Sequence, residues 1–526
     1  MPGRVAPRAS ESQTKHMLVQ DFLHRSATRL PDKVALVCDG RRLTYAEIDA
    51  AANRLAHAMV QHGVRRGDRV GVFLNNSVEA VVSIFAALKA GAVFVVINHS
   101  TKLEKLAYIL DNCRATALVS QAERLPLLLT MLHRVPSLRF AVLTGRRSAA
   151  ACAGDRRLLD FDGIQTSYPP GRPAQVNIDL DLACLIYTSG STGDPKGVMT
   201  DHSNAVFAST SITTYLENVE QDVVLNVSPL SFDYGLYQLL MTFQVGGRLV
   251  LERSFAYPGD ILRRIEQERV TGFPGVPTVF AVLLGMDLSG FDLSSIRYLT
   301  NTAAALPPSH VIELRRKFSA AKLFSMYGLT ETKRTLYLPP EQVDVRPGSV
   351  GIPIPGTEVW LEDEAGTRLG PGQTGELVVR GRHVMRGYWE APEASARRFR
   401  PGPTPGERLC YSGDLFTMDE AGYFYFVARK DDIIKSRGEK VAPKEVENVL
   451  YGLSGVVEAA VVGVPDPILG HAIKAFIVLN GVPLTEEMVL AHCRVHLEDY
   501  MVPKHVEFRT ELPKTTSGKI RRMDLA

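Results

Sequence analysis

Cysteine is scarce in this chain, with six among 526 residues. Cys38, Cys113, Cys152, Cys184, Cys410 and Cys493 form no C-x-x-C pair and no Cys/His cluster with zinc spacing. A disulfide framework is excluded, and free thiols in a reducing cytoplasm are expected. Excess charge is lacking too: 60 Lys and Arg face 57 Asp and Glu, a net charge of +3. Bulk charge therefore gives no support to a nucleic-acid or membrane-surface role. Long apolar runs are missing. Val70 to Asn98 is broken by Asn75, Asn76, Glu79 and Lys89, short of the roughly 20 clean residues a membrane span needs. Met1 to Lys15 is polar, without the apolar centre of a signal peptide, and residues 1–16 read as a loose tail. No internal repeat or low-complexity tract is present. No G-x-S-x-G occurs, so the nucleophile elbow of a serine hydrolase is excluded; no G-x-G-x-x-G is expected either, and with it no Rossmann dehydrogenase.

What is present is an ordinary globular balance, 45% hydrophobic and 22% charged. The length suggests three to four domain-sized units at roughly 150 residues each. Thr44-Tyr-Ala-Glu47 predicts a capping box, followed by Ile48, Ala52, Leu55 and Met59 at helical spacing. Strands are predicted at 69–74, 93–97, 115–120 and 140–144, with helices between, the second opened by Ser77. This alternation implies a parallel sheet covered by helices. Residues 145–180 read as a connector. The alternation resumes with strands at 182–188, 223–227, 248–252 and 322–326. From about Gly348 the texture becomes short strands with Gly turns (357–362, 375–380), a smaller β-rich unit. Beyond about Lys430 an α+β pattern follows: helix 443–451, strands 456–464 and 472–479, helix 485–497, strand 505–509.

The most informative run is Tyr187-Thr-Ser-Gly-Ser-Thr-Gly-Asp-Pro-Lys-Gly197. It follows a predicted strand and packs hydroxyls and glycines ahead of Lys196. Glycine lets backbone N–H groups curl around phosphate, hydroxyls add donors, and lysine supplies charge. It is not a Walker A loop, since Pro195 stands where that motif has glycine. Three further runs occur downstream: Tyr327-Gly-Leu-Thr-Glu-Thr332, Tyr411-Ser-Gly-Asp414 and Pro513-Lys-Thr-Thr-Ser-Gly-Lys519. In isolation Glu331, Asp414 and Lys519 would each read as surface charges. Their ordered occurrence is what argues otherwise.

Together these runs resemble the signatures of the adenylate-forming superfamily: acyl-CoA synthetases, peptide-synthetase adenylation domains and luciferases. The resemblance covers about residue 17 to the end. It implies an α/β fold in which a large N-terminal domain (17–430) holds two helix-covered, mostly parallel sheets and a β subdomain at about 348–427. A mobile α+β C-terminal domain (431–526) follows. It implies a nucleotide site formed by Thr188, Ser189, Gly190, Ser191, Thr192, Gly193 and Lys196, by Ala303, Ala304 and Ala305, by Met326, Tyr327, Gly328 and Leu329, and by Asp414 on the ribose and Arg429. Thr330 would meet the α-phosphate, Glu331 and Thr188 would serve magnesium, and Lys519 would be the catalytic lysine of adenylation. Ala428-Arg-Lys-Asp431 resembles the inter-domain junction, with Asp431 as hinge. Arg437, Gly438 and Glu439 would line the thiol tunnel. The junction departs mildly from the family pattern, which has Gly where Ala428 stands.

The expected reaction is ATP-dependent activation of a small-molecule carboxylic acid, followed by acyl transfer to a thiol. No carrier domain and no Gly-x-Asp-Ser site is attached. The thiol is therefore CoA, the first expectation, or the phosphopantetheine of a separate acyl or peptidyl carrier protein. By resemblance, Phe232, Asp233, Asn301 and Thr302 belong to the acyl pocket. Phe232 fits the place of an aromatic gate. Asp233 is where amino-acid-activating relatives pair the substrate ammonium; a buried carboxylate needs some partner, either that ammonium or a neighbouring group. Thr302 and Ala303 replace the family's usual Gly-Gly, which narrows the pocket. The rival from another class is a non-catalytic nucleotide-binding protein, against which the intact Glu331 and Lys519 argue.

Overall fold

The computed structural model describes residues 17–146, 148–188, 195–302, 306–430, 432–436, 439–466, 470–515 and 518–525. Two sheets lie back to back with helices between them. The first has seven strands in the order Leu158–Asp160, Phe140–Thr144, Ala115–Gln121, Arg69–Phe73, Val93–Val96, Leu182–Thr188, Lys196–Asp201. All pairings are parallel except the last. The second has nine strands. Its parallel centre runs Lys322–Tyr327, Tyr298–Asn301, Gly272–Gly275, Val223–Asn226, Arg248–Leu251, Val34–Cys38.

The helices between the sheets are apolar nearly all round, as sandwiched helices must be. Every residue of Val78–Lys89 except Glu79 is buried. Phe85 stacks on Phe243 of helix Asp233–Val245 at 5.5 Å, and Tyr45 meets the same ring edge-on at 5.3 Å. Buried Lys89 survives there because Asp49 and Asn53 accept from its ammonium at 2.7 and 2.6 Å. The capping box at Thr44 and Glu47 and the Ser77 cap both form.

Three expectations are corrected. Residues 145–180 are not a bare connector: they contain helix Ser148–Cys152, strand Leu158–Asp160 and helix Phe161–Ser167, and the strand is a three-residue edge too short to leave a pattern. Gly272–Gly275 and Tyr298–Asn301 are central strands that propensity hides, since Gly-Phe-Pro-Gly is poor strand sequence. Glycine is demanded at 272, where a Cβ would fall 2.3 Å from the Tyr298 hydroxyl. Third, Gly370-Pro-Gly-Gln-Thr-Gly375 does have G-x-G-x-x-G spacing. It joins antiparallel strands Glu358–Glu362 and Gly375–Arg380 and opens no helix, so it is no dinucleotide loop. The hairpin Val34–Cys38/Arg41–Thr44, turning on Asp39 (φ 49°) and Gly40 (φ 75°), had a legible Asp-Gly signal.

The β unit is an antiparallel five-stranded sheet that includes Arg408–Met418 and Phe424–Arg429. The C-terminal domain is a separate five-stranded sheet of Ile434–Ser436, Glu439–Val441, Val456–Asp466, Gly470–Leu479 and His505–Arg509. Helices Pro443–Tyr451 and Glu486–His496 pack on it through Val446, Leu450, Val489 and Cys493. All six cysteines are free, and all but Cys152 are buried. Burial pushes the Cys38 and Cys113 thiols up to about 12, so they are inert. Among the described residues no helix is long and apolar enough to cross a membrane.

Candidate active site

The site grows from the C-terminal end of strand Lys322–Tyr327. The chain leaves it at Gly328 and returns by Thr335, whose N–H donates to the Tyr327 carbonyl at 2.9 Å. Only glycine fits at 328, because a Cβ would lie 1.8 Å from the Lys333 carbonyl oxygen. Lys333 itself is left-handed at φ 60°, a conformation costing a side chain about 1–2 kcal/mol. This tight loop holds Met326, Tyr327, Leu329, Thr330 and Glu331 at the sheet edge. Glu331 is buried. Its carboxylate accepts from the Tyr388 hydroxyl at 2.5 Å and lies 3.9 Å from Arg398. Desolvation opposes the charge on Arg398, yet Glu331, Cys410, Tyr388 and Asp414 outweigh it and raise its pKa.

Asp414 is buried in strand Arg408–Met418. It accepts from the Tyr327 hydroxyl at 2.6 Å and stands 3.7 Å from Arg429, its cross-strand partner. Burial raises its pKa, against the pull of Arg429 and the Tyr327 hydrogen bond. Thr188 ends strand Leu182–Thr188, and Lys196 opens the antiparallel strand Lys196–Asp201. The Lys196 ammonium lies 5.8 Å over the Tyr388 ring, so one aromatic side chain touches both the phosphate-loop exit and Glu331. Ser189, Gly190, Ser191, Thr192, Gly193, Ala303, Ala304, Ala305, Asp431, Arg437 and Gly438 lie outside the described residues. Glu439 pairs with Ser436 through the backbone.

Lys519 arrives from the other domain. It sits in a tight hairpin closed by the Lys514–Ile520 bridge, with its N–H donating to the Thr515 hydroxyl at 3.1 Å. Gly518 takes φ 79°, and a Cβ there would be 3.1 Å from Thr278 and 3.3 Å from Val276 of the large domain. The hairpin is therefore seated in the cleft. Desolvation lowers the Lys519 pKa and Arg429 lowers it further, while Asp233, Asp414 and Glu331 pull it back up. The three carboxylates expected in the site thus share one field with the expected lysine.

Asp233 is buried as the first residue of its helix, next to partly buried Phe232. Asn301 and Thr302 are buried at the end of strand Tyr298–Asn301. Lys333 is wholly buried and donates to the Thr330 carbonyl at 3.1 Å. Desolvation lowers its pKa against the attraction of Asp233, Cys184 and Glu331. Among the described residues, Asp233 thus attracts two lysines of the protein, Lys333 and Lys519, without a direct ion pair to either.

A single buried carboxylate and a strand-end threonine are a poor cage for a resident metal, and no cluster of metal-binding residues exists among the described residues. They do suit magnesium, which keeps its waters and is bound largely by substrate phosphates.

Residues 23–389 match the model of the AMP-binding enzyme family, and residues 445–519 match that of the AMP-binding enzyme C-terminal domain. The chain belongs to the AMP-binding enzymes. Long-chain-fatty-acid–CoA ligase of Bacillus subtilis (strain 168) is 33% identical to this AMP-binding enzyme, over 96% of this chain and 94% of the relative. Feruloyl-CoA synthase of Amycolatopsis sp is 36% identical, over 94% and 96%. Among solved structures, the anthranilate CoA ligase AuaEII in complex with anthranoyl-AMP superposes with a TM-score of 0.89 at 30% identity, covering 99% of this chain and 98% of that one. ATP-bound MatB from Rhodopseudomonas palustris gives 0.86 at 28% identity, covering 97% and 98%. This AMP-binding enzyme is an AMP-forming acid–thiol ligase that activates a carboxylic acid as its adenylate.

Sequence reasoning missed Tyr388, Arg398, Lys333 and Arg334. Tyr388 and Arg398 lie in runs with no chemical pattern of their own. The Lys333-Arg334 pair did carry a signal: two adjacent cations run directly into the apolar strand Leu336–Tyr337, where a solvated face is out of place.

Proposed function

We propose that this enzyme is an acyl-CoA ligase whose adenylation is carried out by Lys519, Glu331 and Thr330. The observation that carries this is the seating of the Lys519 hairpin against the large domain, with Gly518 on Thr278 and Val276, where Asp233, Asp414 and Glu331 attract the ammonium. The loop from Thr188 to Lys196 would cradle the phosphates, Asp414 would accept from the ribose hydroxyls, and Arg429 would steady the nucleotide. One carboxylate oxygen of the acid attacks the α-phosphorus, and the bond to the pyrophosphate oxygen breaks. Lys519 and Thr330 stabilise charge on the α-phosphoryl oxygens, positioning plus electrostatics rather than covalent help. Magnesium held by Glu331 and Thr188 would neutralise the phosphates. In the second step a thiol sulfur attacks the acyl carbonyl, loses its proton, and AMP leaves. Turning about Asp431 would withdraw Lys519 and bring Arg437, Gly438 and Glu439 to the thiol path. The CoA-ligase names of the relatives support CoA as the acceptor. The free, buried cysteines support a cytoplasmic location. The test is pyrophosphate release over a panel of acids, then thioester formation with CoA; release without CoA thioester would leave a carrier protein as acceptor.

Asp233 favours one second reading, an amino-acid ligase in which it pairs a substrate ammonium. The attraction between Asp233 and buried Lys333 weakens that reading, because a cation of the protein already lies in the field of the carboxylate. Asp233→Ala is expected to keep the order of preference between matched acids with and without an amino group. Selective loss of amino-acid adenylation by roughly a hundredfold or more, the cost of orphaning a buried charge, would reverse the assignment.

A further inference from the structure

Arg334 is the anomaly of the acid side. Its residue is 2% exposed, and it follows buried Lys333 in the loop that carries Glu331. The Lys333 ammonium has the Thr330 carbonyl as acceptor; Arg334 has no such partner. Among the described residues its guanidinium makes no hydrogen bond and no ion pair, and Nε and Nη2 are buried without an acceptor. The guanidinium lies 4.5 Å over the ring of Tyr234 and is close enough to the hydroxyls of Tyr215 and Tyr237 to lower the cost of ionising them. Tyr237 shares the helix face of Asp233, one turn on, and its hydroxyl is also buried without a partner. An arginine cannot escape burial by losing its proton. The ring face offsets part of the desolvation, but it leaves the in-plane N–H donors unmet.

We propose that Arg334, assisted by the Tyr237 hydroxyl, is the receptor for a second carboxylate on the acid, so that the substrate is a dicarboxylic acid activated at one end only. The fork of Arg334 matches a carboxylate in charge and in plane. Arg334 follows Glu331 by three residues and lies over Tyr234, the neighbour of Asp233 on its helix, so a second carboxylate on the bound acid would meet it there. A monoacid of the same shape would leave the arginine buried and unpaired, and the site would reject it for that reason.

This rests on the ligase reading, and the experiment separates the two. Wild type and Arg334→Leu are assayed for pyrophosphate release with diacids of graded length, aliphatic and aromatic, each beside its monomethyl ester. Melting midpoints are recorded with and without each acid. Wild type should favour the best diacid over its ester by about a hundredfold, and Arg334→Leu should abolish or invert that ratio. Diacid but not ester should raise the wild-type midpoint and leave that of Arg334→Leu unmoved. Without acid, Arg334→Leu should melt above wild type, because an unpaired buried charge has been removed; a structural arginine would melt lower. Arg334→Lys controls for folding and should retain part of the preference. Equal handling of diacid and ester by wild type, or an unchanged ratio in Arg334→Leu, overturns the inference while leaving the ligase intact. If wild type adenylates no acid of either series and no diacid raises its midpoint, the inference is overturned, and thioester formation with acids outside both series tests the CoA-ligase reading separately.

Discussion

The two sides of the cleft are built on different terms. On the large domain, Glu331 and Asp414 are each buried and each held by a tyrosine hydroxyl, Tyr388 and Tyr327, with Arg398 and Arg429 behind them. These groups are fixed before any ligand arrives. On the small domain, Lys519 hangs on one hairpin whose seat is a bare Gly518 against Thr278 and Val276. A side chain fixed by burial acts at every stage of a cycle. One seated by a glycine contact would be free to withdraw between the half-reactions of the proposed two-step mechanism.

The harshest way to break this contrast is Lys519→Ala. Pyrophosphate exchange should fall by roughly a thousandfold, the scale for losing one transition-state donor. Thioester formation from supplied acyl-adenylate should be spared, and equal loss in both steps would make the lysine structural. The same group sharpens the contrast through pH. Desolvation first, then Arg429, lowers its pKa, so the cation is lost as pH rises through a value below the usual lysine range near 10.4. Adenylation should show an alkaline limb there that Lys519→Arg removes and thioester formation lacks.

A milder break is Gly518→Val, which forces a branched side chain into a left-handed turn and against Thr278. Adenylation should drop by roughly tenfold, as about 1–2 kcal/mol of backbone strain implies, with the second step unchanged. The smallest effect belongs to the fixed side. Tyr327→Phe removes one charge-assisted hydrogen bond from Asp414 and should raise the KM for ATP several-fold, on the scale of about 1–2 kcal/mol, leaving kcat nearly unaltered. A large fall in kcat would show that Asp414 does more than hold the nucleotide.

Much of this was legible beforehand because local chemistry announces itself. The glycine and hydroxyl loop, the capping box and the alternation of strand and helix need few neighbours to be recognised. Gly272–Gly275 was not, because its strand is imposed by the flanking parallel strands over a sequence that resists it. Tyr388 was hidden for a related reason: it meets Glu331 across 57 residues of chain, and nothing in its own surroundings records that distance. Asp233 is buried as a carboxylate that attracts Lys333, a residue lying just past the end of the Tyr327–Thr332 run.

One consequence follows for how such an enzyme changes its diet. Within four consecutive residues, Glu331 meets Tyr388 and Arg334 packs on Tyr234. On the proposed roles, a single short loop would carry both the tool and the choice of workpiece. On the proposed role of Arg334, exchanging that one side chain would change the acid accepted without lengthening a loop or disturbing Tyr388. The crowding of Gly328 against the Lys333 carbonyl sets the limit: the side chains at that corner are free to diversify, but its backbone is not.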